Sequence, residues 1–145
     1  NKEAVSQIIN HFGTQSVVAS VDYKMKEDDA WVYDWKYKKI IHELELISYL
    51  NLIQETGFGE ILLNSVDKDG TGFGFDIKTI NEFSKNIKLP LIAMGGAGKY
   101  EHFSELYKAV DVDAAATANL LNFISDAIPT ARLKLLESGI ELAQF

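Results

Sequence analysis

The chain has 145 residues, 47% of them hydrophobic, with 14 Lys and Arg against 21 Asp and Glu and a formal net charge of −7. That composition supports one globular core. The acidic balance argues against nucleic-acid or anionic-membrane partners, while leaving room for a local phosphate site made of backbone amides. The absence of cysteine excludes disulfides, thiol catalysis and thiolate metal sites, and no apolar run approaches membrane-spanning length, so a soluble, cytoplasmic protein is the expectation.

Val5, Ile8, Ile9 and Phe12 share one face of a helix over Lys2–Phe12, which Gly13 closes. Ser16–Val21 reads as a β-branched strand with Asp22 at its carboxyl end. Lys24–Asp29 is a polar turn, and Ala30–Tyr33 an extended piece of a small hairpin arm. Trp31 and Trp35 there read as packing residues rather than a covering flap. Lys38–Thr56 predicts the longest helix, with Ile40, Ile41, Leu44, Ile47, Leu50 and Ile53 on a broad apolar face ended by Gly57. A buried strand follows at Glu60–Asn64, then a turn holding Asp67, Asp69, Gly70, Gly72 and Gly74, then a helix from about Ile77. Pro90 introduces the strand Leu91–Met94; Gly95, Gly96 and Gly98 form the next loop, and Phe103, Leu106, Tyr107 and Val110 stripe the next helix. A short strand at Ala114–Thr117, a short helix at Asn119–Ile124 and a last helix at Ile128–Ser138 complete the order α-βα-βα-βα-βα. Such alternation predicts a parallel sheet with right-handed crossovers.

In α/β folds the ligand sits in the loops at the carboxyl ends of the strands. The stretch Gly57–Asp76 places two carboxylates and three glycines in one such loop. The acids suit positioning a donor or handling a proton, and the glycines let backbone N–H groups approach an anion. The bland alternative is a βα turn with solvent-facing acids. Gly95–Gly98 opens a second helix start, and the segment after Ala118 a third, the usual arrangement for an anion. Ser65 and Thr71 either add hydrogen bonds or cap the loop. His11, His42 and His102 lack metal-ligand spacing and read as surface or helix-end residues.

Two motifs carry a family resemblance. G-x-G-E-I-L-L-N-S-V-D-K-D-G-T-x-x-G-F-D from Gly57, and L-P-L-I-A-M-G-G-A-G-K-Y-E-H-F over Leu89–Phe103, resemble the signatures of the cyclase subunit of imidazole glycerol phosphate synthase. That family is a (β/α)8 TIM barrel of histidine biosynthesis. The resemblance covers nearly the whole chain but only the carboxyl-terminal half of the barrel. It implies an α/β fold with about four βα units over residues 1–145, preceded by one helix at about 2–12. Because complete barrels need roughly 200 residues or more, the expectation is a fragment, a split gene product or a half barrel. Its open sheet edges would pair with an amino-terminal half or with another copy.

The same resemblance implies site residues. In V-V-A-S-V-D-Y-K, Asp22 matches a catalytic Asp, and the family's other catalytic Asp belongs to a first strand this chain lacks. Asp69 matches a supporting residue near the reacting centre and is favoured over Asp67. Gly70, Gly96, Ala118 and Asn119 fall where the family binds one of two substrate phosphates. Glu60 matches one member of a charged ring that gates ammonia from a glutaminase subunit, its bland alternative being a Glu that ends a helix–strand loop. The implied reaction takes ammonia and a phosphoribulosyl aminoimidazole carboxamide nucleotide to imidazole glycerol phosphate, with no metal or organic cofactor. Met94, Asn119, Lys2 and the glycine-free segment Asp34–Lys39 depart from the family pattern. The alternatives are a cyclase-like paralogue supplying ammonia for sugar amidation, the sister isomerase of histidine biosynthesis, and a noncatalytic phosphate-binding half-barrel module.

Overall fold

Burial alternates along the parallel strands and marks the side of the sheet that the helices cover. The computed structural model describes residues 2–118, 120 and 127–143. Its elements are α1 (Lys2–Phe12), β1 (Val18–Lys26), β2 (Asp29–Asp34), β3 (Lys39–Glu45), α2 (Leu46–Thr56), β4 (Glu60–Ser65), α3 (Ile77–Ser84), β5 (Leu91–Met94), α4 (Tyr100–Ala109), β6 (Ala114–Ala116) and α5 (Ala127–Glu137). One six-stranded sheet has the order β3-β2-β1-β4-β5-β6. β1, β4, β5 and β6 run parallel, with helices α2, α3 and α4 between successive strands. This is the βα alternation of a (β/α)8 barrel with four of its eight parallel strands. Of the helix expected over Asn119–Ile124, all but Leu120 lies outside the described residues. Among the described residues no helix is long and apolar enough to cross a membrane.

Every second strand residue enters the core. Ala19, Val21 and Tyr23 on β1, Ile61 and Leu63 on β4, and Leu91 and Ala93 on β5 are buried. Leu46, Leu50 and Ile53 of α2, Ile80 of α3, and Phe103 and Leu106 of α4 belong to the same cluster. The intervening residues form the other face. Register aligns Ser20, Leu62, Ile92 and Ala114 in one row across the four parallel strands, and Asp22, Asn64, Met94 and Ala116 in the next row towards their carboxyl ends. Val18, at the amino end of that face, is 46% exposed.

The segment Lys38–Thr56 corrects the sequence expectation of a single helix. Lys39–Glu45 is strand β3, antiparallel to β2, and the helix begins only at Leu46. Ile40, Ile41 and Leu44 satisfy a helical stripe, but tandem β-branched residues also favour a strand, and β2 offers backbone partners. The turn between β2 and β3 needs no glycine. Asp34 Oδ1 accepts from the N–H groups of Lys36 and Tyr37 at 2.8 and 3.2 Å, an Asx turn, and Lys38 takes φ of 51°. β1 likewise runs past the expected Val21 to Lys26, because β2 pairs with it from Tyr23 onwards. Trp35 at the hairpin tip is exposed and stacks edge-to-face on Tyr33 at 5.3 Å, so it is no core residue.

One-sided burial has a measurable signature. Leu63, fully buried on the helix side, should cost about 2–5 kcal/mol when changed to Ala. Leu62→Ala, on the opposite face, should cost about 1 kcal/mol or less in the isolated chain. Urea denaturation of the two variants checks this; equal losses would mean that both faces are packed.

Candidate active site at the carboxyl ends of the parallel strands

Asp22 and Asn64 lie side by side in register on β1 and β4. The Asn64 Nδ2 group donates to Asp22 Oδ1 at 2.7 Å. Asn64 is itself 6% exposed, and its Oδ1 has no donor among the described residues. An orphaned buried acceptor costs about 1–3 kcal/mol, and such atoms call for a ligand or water to complete them. A Cβ on Gly95 would stand 2.9 Å from this oxygen, so the orphan abuts the start of the β5–α4 loop. Asn64 is the candidate site residue that motif reading misses, since its partner is distant in sequence and an Asn ending an apolar run carries no signal of its own.

The next two strand ends form a cleft from two interlocked loops. Gly74 N donates to Gly96 O at 2.8 Å. Gly96 has φ of 98°, and a Cβ there would fall 2.1 Å from Gly74 O; a Cβ on Gly98 would fall 2.4 Å from Gly72 O. Glycine is therefore required at both points by backbone contact. Asp69, Gly70, Gly96 and Ala118 all line this cleft, together with Met94, Gly95, Ala97 and Thr117. The amides of Gly96 and Ala97 donate to no acceptor among the described residues. Asp22 shares a row with Met94 but stands two strands away, about 10 Å at the usual strand spacing. Asn119 lies outside the described residues. Glu60 sits at the opposite end of β4, paired in register with Val18 and half-buried.

Other residues of the motif hold the scaffold. Asp67 accepts from Met25 N at 2.8 Å and pairs with Lys24 at 3.6 Å, fastening the β4–α3 loop to β1. Asp76 caps α3 by accepting from Thr79 N at 3.3 Å, and also accepts from the Tyr23 hydroxyl at 3.0 Å. Burial, reinforced by the Asp76 carboxylate, pushes the Tyr23 phenol well above its ordinary value and keeps it a donor. Thr71 caps the loop, its hydroxyl donating to Lys68 O at 2.7 Å and accepting from Phe73 N at 3.3 Å. Ser65 is fully buried in register with Tyr23, on the helix side and away from the cleft. Among the described residues no group of three or more His, Asp or Glu is placed to hold a metal ion.

His102 takes the helix-end rather than the surface alternative. It lies in the first turn of α4, is 6% exposed, and its Nδ1 accepts from Gly98 N at 3.1 Å. The third residue of a helix can reach back over the preceding turn, as in a capping box, which here carries the ring inward. His11 is exposed, and His42 lies on β3. Burial lowers the pKa of His102, with Lys99 adding to the effect and Glu105 and Glu101 opposing it. Since the folded value is depressed, the neutral ring stabilises the fold above about 6.5, and that contribution is lost as pH falls from there through the depressed value. Nitrogen-detected NMR should show Nε2–H as the tautomer and a midpoint below the ordinary value; an Nδ1–H tautomer would contradict the Gly98 bond.

Comparison with known proteins gives the chain a family. Residues 1–124 match the family model described as histidine biosynthesis protein. The chain is similar to the imidazole glycerol phosphate synthase subunit HisF of Hydrogenobaculum sp., with 34% identity over 142 residues that make up 98% of this chain and 56% of the relative. It is similar to the same subunit of Clostridium botulinum, at 36% over 143 residues, 98% of this chain and 56% of the relative. For that of Chlorobium limicola the identity is 37% over 138 residues, 95% of this chain and 55% of the relative. The chain thus spans about half the length of the curated relatives it matches. With the match running through both glycine loops and the strands that carry Asp22 and Asn64, the chain belongs to the histidine biosynthesis protein family.

Proposed function

We propose that residues 1–145 form the carboxyl-terminal half of a cyclase barrel, the part of imidazole glycerol phosphate synthase that carries one acid–base group and one phosphate cradle. The observation that carries this reading is the pairing of Asp22 with Asn64 in the row that leads to the glycine cleft. Asn64 occupies one carboxylate oxygen of Asp22, which leaves the other for a substrate proton. The unengaged amides of Gly96 and Ala97, with Gly70 and Ala118 beside them, suit a phosphoryl group. Asp69 lines the same cleft and supports the reacting centre. The substrate is a phosphoribulosyl aminoimidazole carboxamide nucleotide, and the products are imidazole glycerol phosphate and the aminoimidazole carboxamide ribonucleotide. Ammonia from a glutaminase subunit enters at the opposite end of the strands, past Glu60. Among the described residues none is assigned as a second catalytic acid or a second phosphate clamp; in this reading both come from an amino-terminal half.

That half is also the occupant proposed for the face of the sheet on which no helix packs among the described residues, where Ser20, Leu62, Ile92 and Ala114 form a largely apolar row. Another copy of this chain is the competing occupant. Met94 in the cleft favours a second reading, a paralogue that delivers ammonia to sugar amidation, because it fills space where the family has a small residue.

Mixing the chain with an amino-terminal cyclase half, ammonium and the nucleotide should give turnover that the chain alone lacks. Asp22→Asn should lower that rate by about 10²–10⁴-fold while light scattering still shows the two halves associated. Turnover that survives the substitution would remove Asp22 from the mechanism, and association without turnover would favour the paralogue.

A further inference from the structure

His102 has no part in the proton chemistry proposed for Asp22 and Asp69, yet it touches both loops of the cleft. α4 opens on Lys99, whose side chain makes no capping bond. The ring of His102 supplies the missing acceptor one residue earlier, at Gly98 N. An imidazole that accepts through Nδ1 is neutral or nearly so in that role, with its proton on Nε2. Its other edge lies flat against the second loop: a Cβ on Gly74 would stand 3.4 Å from His102 Cδ2 and 3.6 Å from Nε2. Gly74 in turn donates to Gly96. Phe103, next in the chain, meets Phe75 edge-to-face at 5.6 Å and packs the same two loops together from the core side.

One side chain thereby fixes three glycines. It ties down the amide of Gly98, backs the α-carbon of Gly74, and through Gly74 holds the carbonyl of Gly96. With the Gly98 amide drawn to the ring, the neighbouring amides of Gly96 and Ala97 have no acceptor among the described residues, and both residues line the cleft. We propose that His102 is a positioning residue for the anion cradle, presetting the Gly96–Gly98 backbone to receive a phosphoryl oxygen. This rests on the reading of the glycine cleft as a phosphate site.

The near-isosteric pair His102→Asn and His102→Leu separates the acceptor from the bulk. Inorganic sulfate, whose charge is constant near neutrality, is titrated into the chain at pH 7.5 and followed by the NMR shifts of the Gly96 and Ala97 amides. The wild-type chain should show saturable shifts. His102→Leu should bind about tenfold more weakly, the loss of one hydrogen bond that organises the site, while His102→Asn, which keeps an acceptor, should stay within about threefold of wild type. Urea midpoints measured alongside separate this from loss of fold. Equal binding by the Leu variant, or Asn no better than Leu, overturns the proposal. If His102→Leu does not fold, hydrogen exchange of the wild-type protein decides: the Gly98 amide should be protected, and an unprotected Gly98 overturns the proposal. Absence of any saturable shift in the wild type overturns instead the phosphate reading beneath it.

Discussion

The contact between Gly74 N–H and Gly96 C=O governs the geometry of the whole site. It joins the loop after β4 to the loop after β5 backbone to backbone, with a spacing that admits no side chain at Gly96 or Gly98. Two flexible loops become one rigid rim through this contact. The rim then determines which amides face outward, where Asp69 sits, and how the orphaned carboxamide oxygen of Asn64 meets Gly95. A network of this kind is strong when each member is satisfied and costly when one is not. Concentrating the glycines there trades chain entropy for a close approach of main-chain atoms that no other residue type permits.

β1 is joined to that rim by several independent ties. Tyr23 reaches Asp76, Lys24 and the Met25 amide reach Asp67, and Thr79 donates to the Met25 sulfur at 3.7 Å. Tyr23 and Met25 reach out on the helix-facing side of the strand, while Lys24 alternates onto the other face with Asp22, whose neighbour is Asn64. The carboxylate that is proposed to move protons is therefore held by a strand whose own position is over-determined. The exposed Lys24–Asp67 pair adds little by itself, and the backbone bond to the same carboxylate is the stronger contact.

Much of this was legible in the sequence, for physical reasons that differ by element. β4 and β5 follow from short apolar runs and α3 and α4 from one-sided apolar spacing, and the two glycine loops announce themselves because close backbone approach excludes other residues. β3 was hidden because Ile40, Ile41 and Leu44 fit a helical stripe, and because an Asp side chain rather than a glycine makes its turn. Asn64 and His102 carried no local mark. The partner of Asn64 is 42 residues away, and the burial of His102 is created by loops that arrive from another βα unit.

The antiparallel hairpin has a consequence for how any further strand can join the sheet. β2 occupies the outer edge of β1 from Tyr23 to Lys26, leaving the edge from Val18 to Asp22 unpaired among the described residues. That is roughly 17 Å of main chain. A strand docking there in parallel can slide towards the carboxyl end only until it abuts the hairpin. The hairpin is thus a mechanical stop for strand addition, and it halts the newcomer level with Asp22. Any group at the end of that strand is brought to the height of Asp22 by steric alignment alone.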